Sequence, residues 1–185
     1  MLPDTPFNRV PREALDPALL PMWDTTQALH GDTTFVEVMG NAPEVAKWYA
    51  DQFYGQLFHS GRCDRKVLEL VRLGLANVHG CAFCNRSDRI AAREAGLSDA
   101  EIDTIGDYAT GPFDDRQKAA LELADVMVLT NAKGSVSPEL YARLKRHFSD
   151  AELVELGVVM AVLTGMAKFI FAYDLVEKED YCPLV

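Results

Sequence analysis

The stretch DRKVLELVRLGLANVHGCAFCNRSDRIAAREAG, Asp64 to Gly96, decides the fold. Asp64 is a capping residue type in front of a run whose apolar positions recur at helical spacing, and His79-Gly80 is a stop signal. A second helix begins at or just after Cys81 and stops at Gly96. So short a turn makes the two an antiparallel hairpin. At ~1.5 Å per residue, Glu69 then lies about 14 Å below the bend, level with Asp88 on the return helix.

Outward from this hairpin, start and stop signals recur at helical lengths and alternating strand patterns are missing. Upstream, Asp32 or Thr33 caps a short helix through Met39, and Pro43 opens PEVAKWYADQFYGQLF. Downstream, Ser98 with Glu101 makes a capping box, Asp114 or Asp115 opens a helix closed by Gly134, and Ser137-Pro138 starts one through His147. Ser149 with Glu152 makes a second box, for a long apolar helix running to Val176. The chain reads as all-α. Five of its nine prolines fall in the first 21 residues, so residues 1–30 read as a Pro-rich arm with a short helix, lying on the domain or on a neighbouring subunit, and residues 31–185 as the helical domain.

With 185 residues, 49% of them apolar and 25% charged, the chain builds a core without staples. Acidic residues outnumber basic ones 28 to 18, for a formal charge of -10, and no basic run appears. That excludes an electrostatic nucleic-acid surface. The longest uncharged stretch, Leu156 to Ala167, is shorter than the ~20 apolar residues that span a bilayer and reads as a core helix, so no membrane association is expected. The N-terminal segment lacks a basic start followed by an apolar block, and the expected location is cytoplasmic. No Gly-rich phosphate loop implies an organic cofactor.

Of the four cysteines, Cys81 and Cys84 are separated by two residues, while Cys63 and Cys182 stand alone. At a helix start, unsatisfied N–H groups and the positive dipole end favour a thiolate, so dithiol chemistry is physically sound there. A zinc site using His79 and Cys63, or simple packing, are the alternatives; zinc usually shows a second close pair, and no metal is expected. In comparable dithiol motifs the first cysteine is the more exposed, which favours Cys81 for exchange with a protein partner. Glu69, on an apolar helix, is either a surface ion pair with Arg65, Lys66 or Arg72, or a buried carboxylate facing Asp88.

The segment from Arg65 to Ile105, with Glu69, then Cys81 twelve positions on, then Cys84 and GLSDAEI, resembles the alkylhydroperoxidase D-like (AhpD-like) branch of the carboxymuconolactone decarboxylase superfamily. The downstream DRQKAALELADVM and FSDAELVELGVVMAVLTG are similar to it as well, so the likeness spans roughly residues 55 to 172. The resemblance implies an oligomeric all-helical bundle and a thiol-dependent peroxidase or disulfide reductase. It assigns peroxide attack to Cys84, resolution to Cys81, reduction of the disulfide to a dithiol or thioredoxin-like partner, and a place in a proton relay to Glu69.

The family's histidine, four after the second cysteine, is Asp88 here. An aspartate of ordinary pKa, about 3.9, is a poor base for a thiol. Asp88 is therefore either pocketed beside Glu69 with a raised pKa, serving as the shuttle, or a solvated residue paired with Arg86 or Arg65. His79 either substitutes for the histidine or ends its helix. The expected function is reduction of hydroperoxides through a Cys81-Cys84 cycle; a lactone decarboxylase, whose members generally lack the cysteine pair, and a non-catalytic redox sensor are the alternatives. A homo-oligomer is expected, its surface drawn from Trp23 and the aromatic run Trp48, Tyr49, Phe53, Tyr54 and Phe58.

Overall fold

The computed structural model describes residues 3–183, and among them every regular element is helical. Helix α1 spans Leu20–His30, α2 Thr34–Met39 and α3 Pro43–Trp48, which runs on as a π-helix over Tyr49–Phe58. The hairpin follows as α4, Arg65–His79, and α5, Ala82–Glu94. Beyond it lie α6, Asp99–Asp103, α7, Asp115–Met127, α8, Pro138–His147, and α9, Asp150–Ala172.

Local chemistry explains these boundaries. Asp64 caps α4 by accepting from the Lys66 N–H, and Ser98, Asp114 and Ser149 each close a reciprocal capping box with the residue three positions on. Gly80 ends α4 at φ 66°, and a Cβ there would stand 2.5 Å from the Cys182 Cα, so both conformation and space demand glycine. Two helices stop earlier than the sequence suggests. Helix α7 ends at Met127 because Val128 turns extended, which lets the Leu129 N–H reach His79 and the Asn131 amide reach the Asp125 carbonyl. Helix α9 ends at Ala172, and Asp174 adopts φ 51°.

Helix α4 is the axis of the fold. Val67, Leu68, Val71 and Leu75 pack against α7, α9 and the π-helix, while Leu70 and Leu73 face a second core with Ala92, Ile102 and Leu121. Truncating a side chain as enclosed as Leu70, 0% exposed, would cost about 2–5 kcal/mol. Gly74 permits the close approach of α7: a Cβ there would meet Leu121 at 2.9 Å.

Two expectations about surfaces need correction, and the arm takes the first of its two alternatives. Phe53 and Phe58 fill the core, so the aromatic run leaves chiefly Trp48 outside. The N-terminal arm lies on its own domain: the Val10 N–H donates to the Glu37 carbonyl, Arg9 pairs with Glu37, and Phe7 packs on Tyr173. Helix α9, at 23 residues, is long and apolar enough by length and composition to cross a membrane, because its flanks extend the stretch counted in the sequence. One face of it, with Leu156, Val159 and Met160, belongs to the core; Val154 and Val158 on the other are exposed.

Candidate functional site

Cys81 is the N-cap of α5, and its sulfur accepts from the Cys84 N–H at 3.1 Å. The two are joined in a disulfide, with Cα atoms 5.2 Å apart, while Cys63 and Cys182 are free. Access runs opposite to the sequence expectation: Cys81 is 1% exposed and Cys84 is half-buried. The cause is the segment after α9. Its Glu177 carbonyl accepts from the Phe83 N–H, its Glu179 N–H donates to the Gly80 carbonyl, and Cys182 packs on Gly80, so the turn holding Cys81 is roofed. The Cys182 thiol also donates to the His79 carbonyl at 3.1 Å.

Glu69 and Asp88 do come level and are buried, but an arginine lies between them. Arg72 donates through Nη1 to Glu69 Oε2 at 3.1 Å and through Nη2 pairs with Asp88 Oδ1 at 2.6 Å. Its guanidinium also stacks on Tyr54, 5.2 Å from the ring centroid. The surface reading of Glu69 fails on its burial, yet two of the cations it named, Arg72 and Arg65, do pair with the buried carboxylate. Burial pushes the Asp88 carboxyl up to about 6, with Arg72 opposing and the Glu69 charge reinforcing the rise. The solvated reading of Asp88, paired with Arg86 or Arg65, is set aside, because Arg86 pairs with Glu177 and Arg65 with Glu69 and Glu94.

His79 ends α4 and is buried. Its Nε2 accepts from the Leu129 N–H at 3.1 Å, and burial lowers its pKa to about 4. The imidazole is thus held neutral with its basic nitrogen occupied. Cys63 sits remote from the pair, its N–H donating to Glu155, and burial raises its thiol to about 11.

Cys81, Cys84, His79, Asp88 and Arg72 share a wall of one cavity of about 350 Å³. Glu69 stands behind Arg72 and reaches the cavity only through it. The remaining wall is largely apolar, from Met22 and Leu29 on α1, Phe35 on α2, and Leu163, Met166 and Ile170 on α9. Two wall residues, His30 and Ser87, were not anticipated. His30, at the end of α1, stacks on Phe83 with ring centroids 3.8 Å apart, and its Nε2 lies 3.0 Å from Ser87 Oγ. Its only sequence signal is a histidine before a stop glycine, which describes any helix end. Tyr49 and Tyr54 complete the polar corner, with hydroxyls 3.5 Å apart.

The site can hold two electrons as a thiol pair, move a proton at Asp88, and enclose a mainly apolar molecule. The family model of the carboxymuconolactone decarboxylase family matches residues 43–126, which contain both cysteines, Glu69, Arg72 and Asp88. The uncharacterized protein YdfG of Bacillus subtilis is 30% identical over 98 residues, covering 52% of this chain and 66% of that protein. An uncharacterized protein of Mycobacterium tuberculosis is 37% identical over 94 residues, 50% of this chain and 32% of that one. The chain thus spans about two thirds of the first relative and about one third of the second. Among solved structures, an Agrobacterium tumefaciens protein of unknown function, whose description names antioxidant defence and AhpD, matches with TM-score 0.65 at 23% identity, over 73% of this chain and 91% of that one. The alkylhydroperoxidase AhpD core of a peroxidase-related protein from Ralstonia eutropha matches with TM-score 0.75 at 15% identity, over 97% and 95%. A debrominase also matches with TM-score 0.75 at 15% identity, over 96% and 94%, and a variant of it was solved with 2,3,4-tribromopyrrole. Residues 43–126 thus carry the carboxymuconolactone decarboxylase family pattern, and the fold is the one seen in the AhpD-like structures.

Proposed function

We propose that the protein is a thiol-dependent peroxidase that reduces organic hydroperoxides through a Cys81–Cys84 cycle. The carrying observation is a closed disulfide in the wall of an apolar cavity whose polar corner contains a titratable carboxyl. In the reduced protein the Cys84 thiolate, favoured by the N-terminus of α5, attacks the distal peroxide oxygen. The O–O bond breaks, Cys84 becomes a sulfenic acid, and the departing alkoxide takes a proton from Asp88 to leave as an alcohol. Cys81 then attacks the Cys84 sulfur, water leaves, and the disulfide closes. A dithiol reductant returns both thiols. The half-buried position of Cys84 and the enclosure of Cys81 support this order. Arg72 holds Asp88 in place and Glu69 holds Arg72.

The exposed face of α9, with Val154 67% and Val158 45% exposed, supports association with a second copy. The reductant is a dithiol or thioredoxin-like partner that meets the disulfide at Cys84.

Reduced protein mixed with cumene hydroperoxide checks the reading. One equivalent consumed without reductant and steady turnover with dithiothreitol are expected; Cys84→Ser loses both by more than 100-fold, and Cys81→Ser stops at a trapped sulfenic acid. Disulfide formation without turnover would instead make the protein a redox sensor, and no reaction at all would overturn the proposal. The cavity's size and apolar walls also suit a second use of the same two electrons, in which a halogenated aromatic exchanges halogen for hydrogen as the thiols close to a disulfide. Halide release from a brominated pyrrole separates that use from peroxide reduction.

A further inference from the structure

The family pattern places an imidazole one turn after the second cysteine, and this chain has Asp88 there. The described structure nevertheless brings an imidazole to the same wall from 57 positions upstream. His30 closes α1, lies flat on Phe83 of the C-x-x-C segment, and meets Ser87 at 3.0 Å. Ser87 is three residues after Cys84 on α5, so the two side chains share a helix face one turn apart. All three line the cavity. The other histidine of that wall, His79, already accepts a backbone N–H. His30 differs in that its Nδ1 is buried and has no hydrogen-bond partner. Stacking and a serine contact fix the ring, yet no main-chain group uses it as a structural tie.

We propose that His30 acts through Ser87 as the proton acceptor for the Cys84 thiol, so that α1, and not the cysteine helix, supplies the imidazole of this site. The inference rests on Cys84 being the reacting thiol. With Nε2 bare, Ser87 donates to His30 while its oxygen accepts from the thiol. Transfer moves the thiol proton to Ser87 and the serine proton to Nε2, leaving a thiolate and an imidazolium with no net change in charge. Burial lowers the His30 pKa, and the nearby Arg86 acts in the same direction, so the ring is neutral and able to accept at neutral pH. Asp32 after α1 and Glu177 after α9 oppose that and favour the imidazolium once formed. The other charged or titratable groups of the cavity are Arg72 and Asp88, paired with each other, His79, and Tyr49 and Tyr54. The α9 wall contributes only apolar side chains. Asp88 is thereby free to serve as the acid for the leaving oxygen, which separates the two proton transfers between two groups. His30 is a positioning residue with respect to peroxide, because it acts on the sulfur through Ser87.

The test needs no peroxide. Reduced protein is alkylated with iodoacetamide between pH 5 and 9, and the rate at Cys84 is read by mass spectrometry of its peptide. His30→Gln keeps an amide that bonds Ser87 but takes no proton. It is expected to move the midpoint of the rate profile up by about one unit, lowering the rate at pH 6.5 about tenfold while the plateau above pH 8.5 stays unchanged. Ser87→Ala is expected to give the same shift, and the double variant no more than either alone. A purely structural role for His30 would lower the plateau or Tm and leave the midpoint in place, and that result would overturn the proposal. A shift with His30→Gln but none with Ser87→Ala would overturn the serine route. Because no hydroperoxide enters the measurement, failure of the peroxidase reading shows itself separately.

Discussion

Asp88 on α5 and Glu101 on α6 are withdrawn from water to a similar extent, at 3% and 6% exposure, and the protein shifts their pKa values in opposite directions. Burial pushes both up. At Glu101 that push is outweighed, because the carboxylate accepts from the Ser98 backbone N–H, the Gln117 amide and the Ser98 hydroxyl and pairs with Lys66, and its pKa falls to about 2. At Asp88 one arginine is shared with Glu69, and the pKa rises to about 6. Donor number, together with the deeper surroundings of Asp88, separates a carboxylate used as a joint from one left able to exchange protons.

The largest effect expected from this difference is that of Arg72→Met. Removing the guanidinium leaves Asp88 buried without a counter-charge and Glu69 with only the half-exposed Arg65 at 3.9 Å, a loss of about 3–5 kcal/mol at pH 7. For a chain of this length that lowers Tm by roughly 10 °C. Calorimetry should also show the deficit shrinking at pH 5, where Asp88 takes up a proton. A loss no greater than that of Arg146→Met would break the comparison.

Somewhat smaller, and opposite in sign, are two pH dependences. The folded-state pKa of Glu101 lies below its ordinary value of 4.5, so its contribution is present above pH 4.5 and lost as pH falls toward 2. Glu101→Gln should cost most at neutral pH, on the order of 3 kcal/mol, and least near pH 2. Asp88 lies above its ordinary 3.8, so its contribution is full below that value and is lost as pH rises through about 6. Asp88→Asn should therefore gain stability relative to the parent between pH 4 and 7, by on the order of 3 kcal/mol at most. Urea titrations at four pH values measure both, and slopes of the same sign would refute the account.

The smallest effect concerns another buried carboxylate, Glu155, which accepts from Ser60, Arg62 and the Cys63 N–H. By donor number it belongs with Glu101. Cys63 beside it, 1% exposed and with its thiol raised to about 11, should label with iodoacetamide at least 100-fold more slowly than Cys84 in reduced native protein. Comparable rates would show that the Glu155 joint opens.

Much of this was legible in the sequence because it is local. The capping boxes at Ser98 and Ser149, the Asp64 start and the Gly80 stop each depend on residues within a turn of one another, and helical rise alone sets Glu69 level with Asp88. What was not legible depends on chain meeting chain. Arg72 reads as one of three cations near Glu69, and only the return of α5 makes it a bridge. The roof over Cys81 comes from about a hundred residues away, which reversed the expected accessibility of the two cysteines. His30 could not be found because nothing in ALHGD distinguishes a capping histidine from one that meets a serine 57 positions later.

The cavity draws on two sources. Its cysteines, arginine and aspartate come from residues 43–126, whereas much of its apolar wall comes from α1, α2 and α9, outside that segment. The cysteine pair and much of the fit to a molecule are therefore written in separate stretches of sequence. Substitutions at Met22, Leu29, Met166 or Ile170 can reshape the chamber without touching the electron pair, and a lineage can change its diet while keeping its reaction. Likeness confined to the middle of such chains then reports how they react and leaves unstated what they react with; for that, the first and last helices are the place to look.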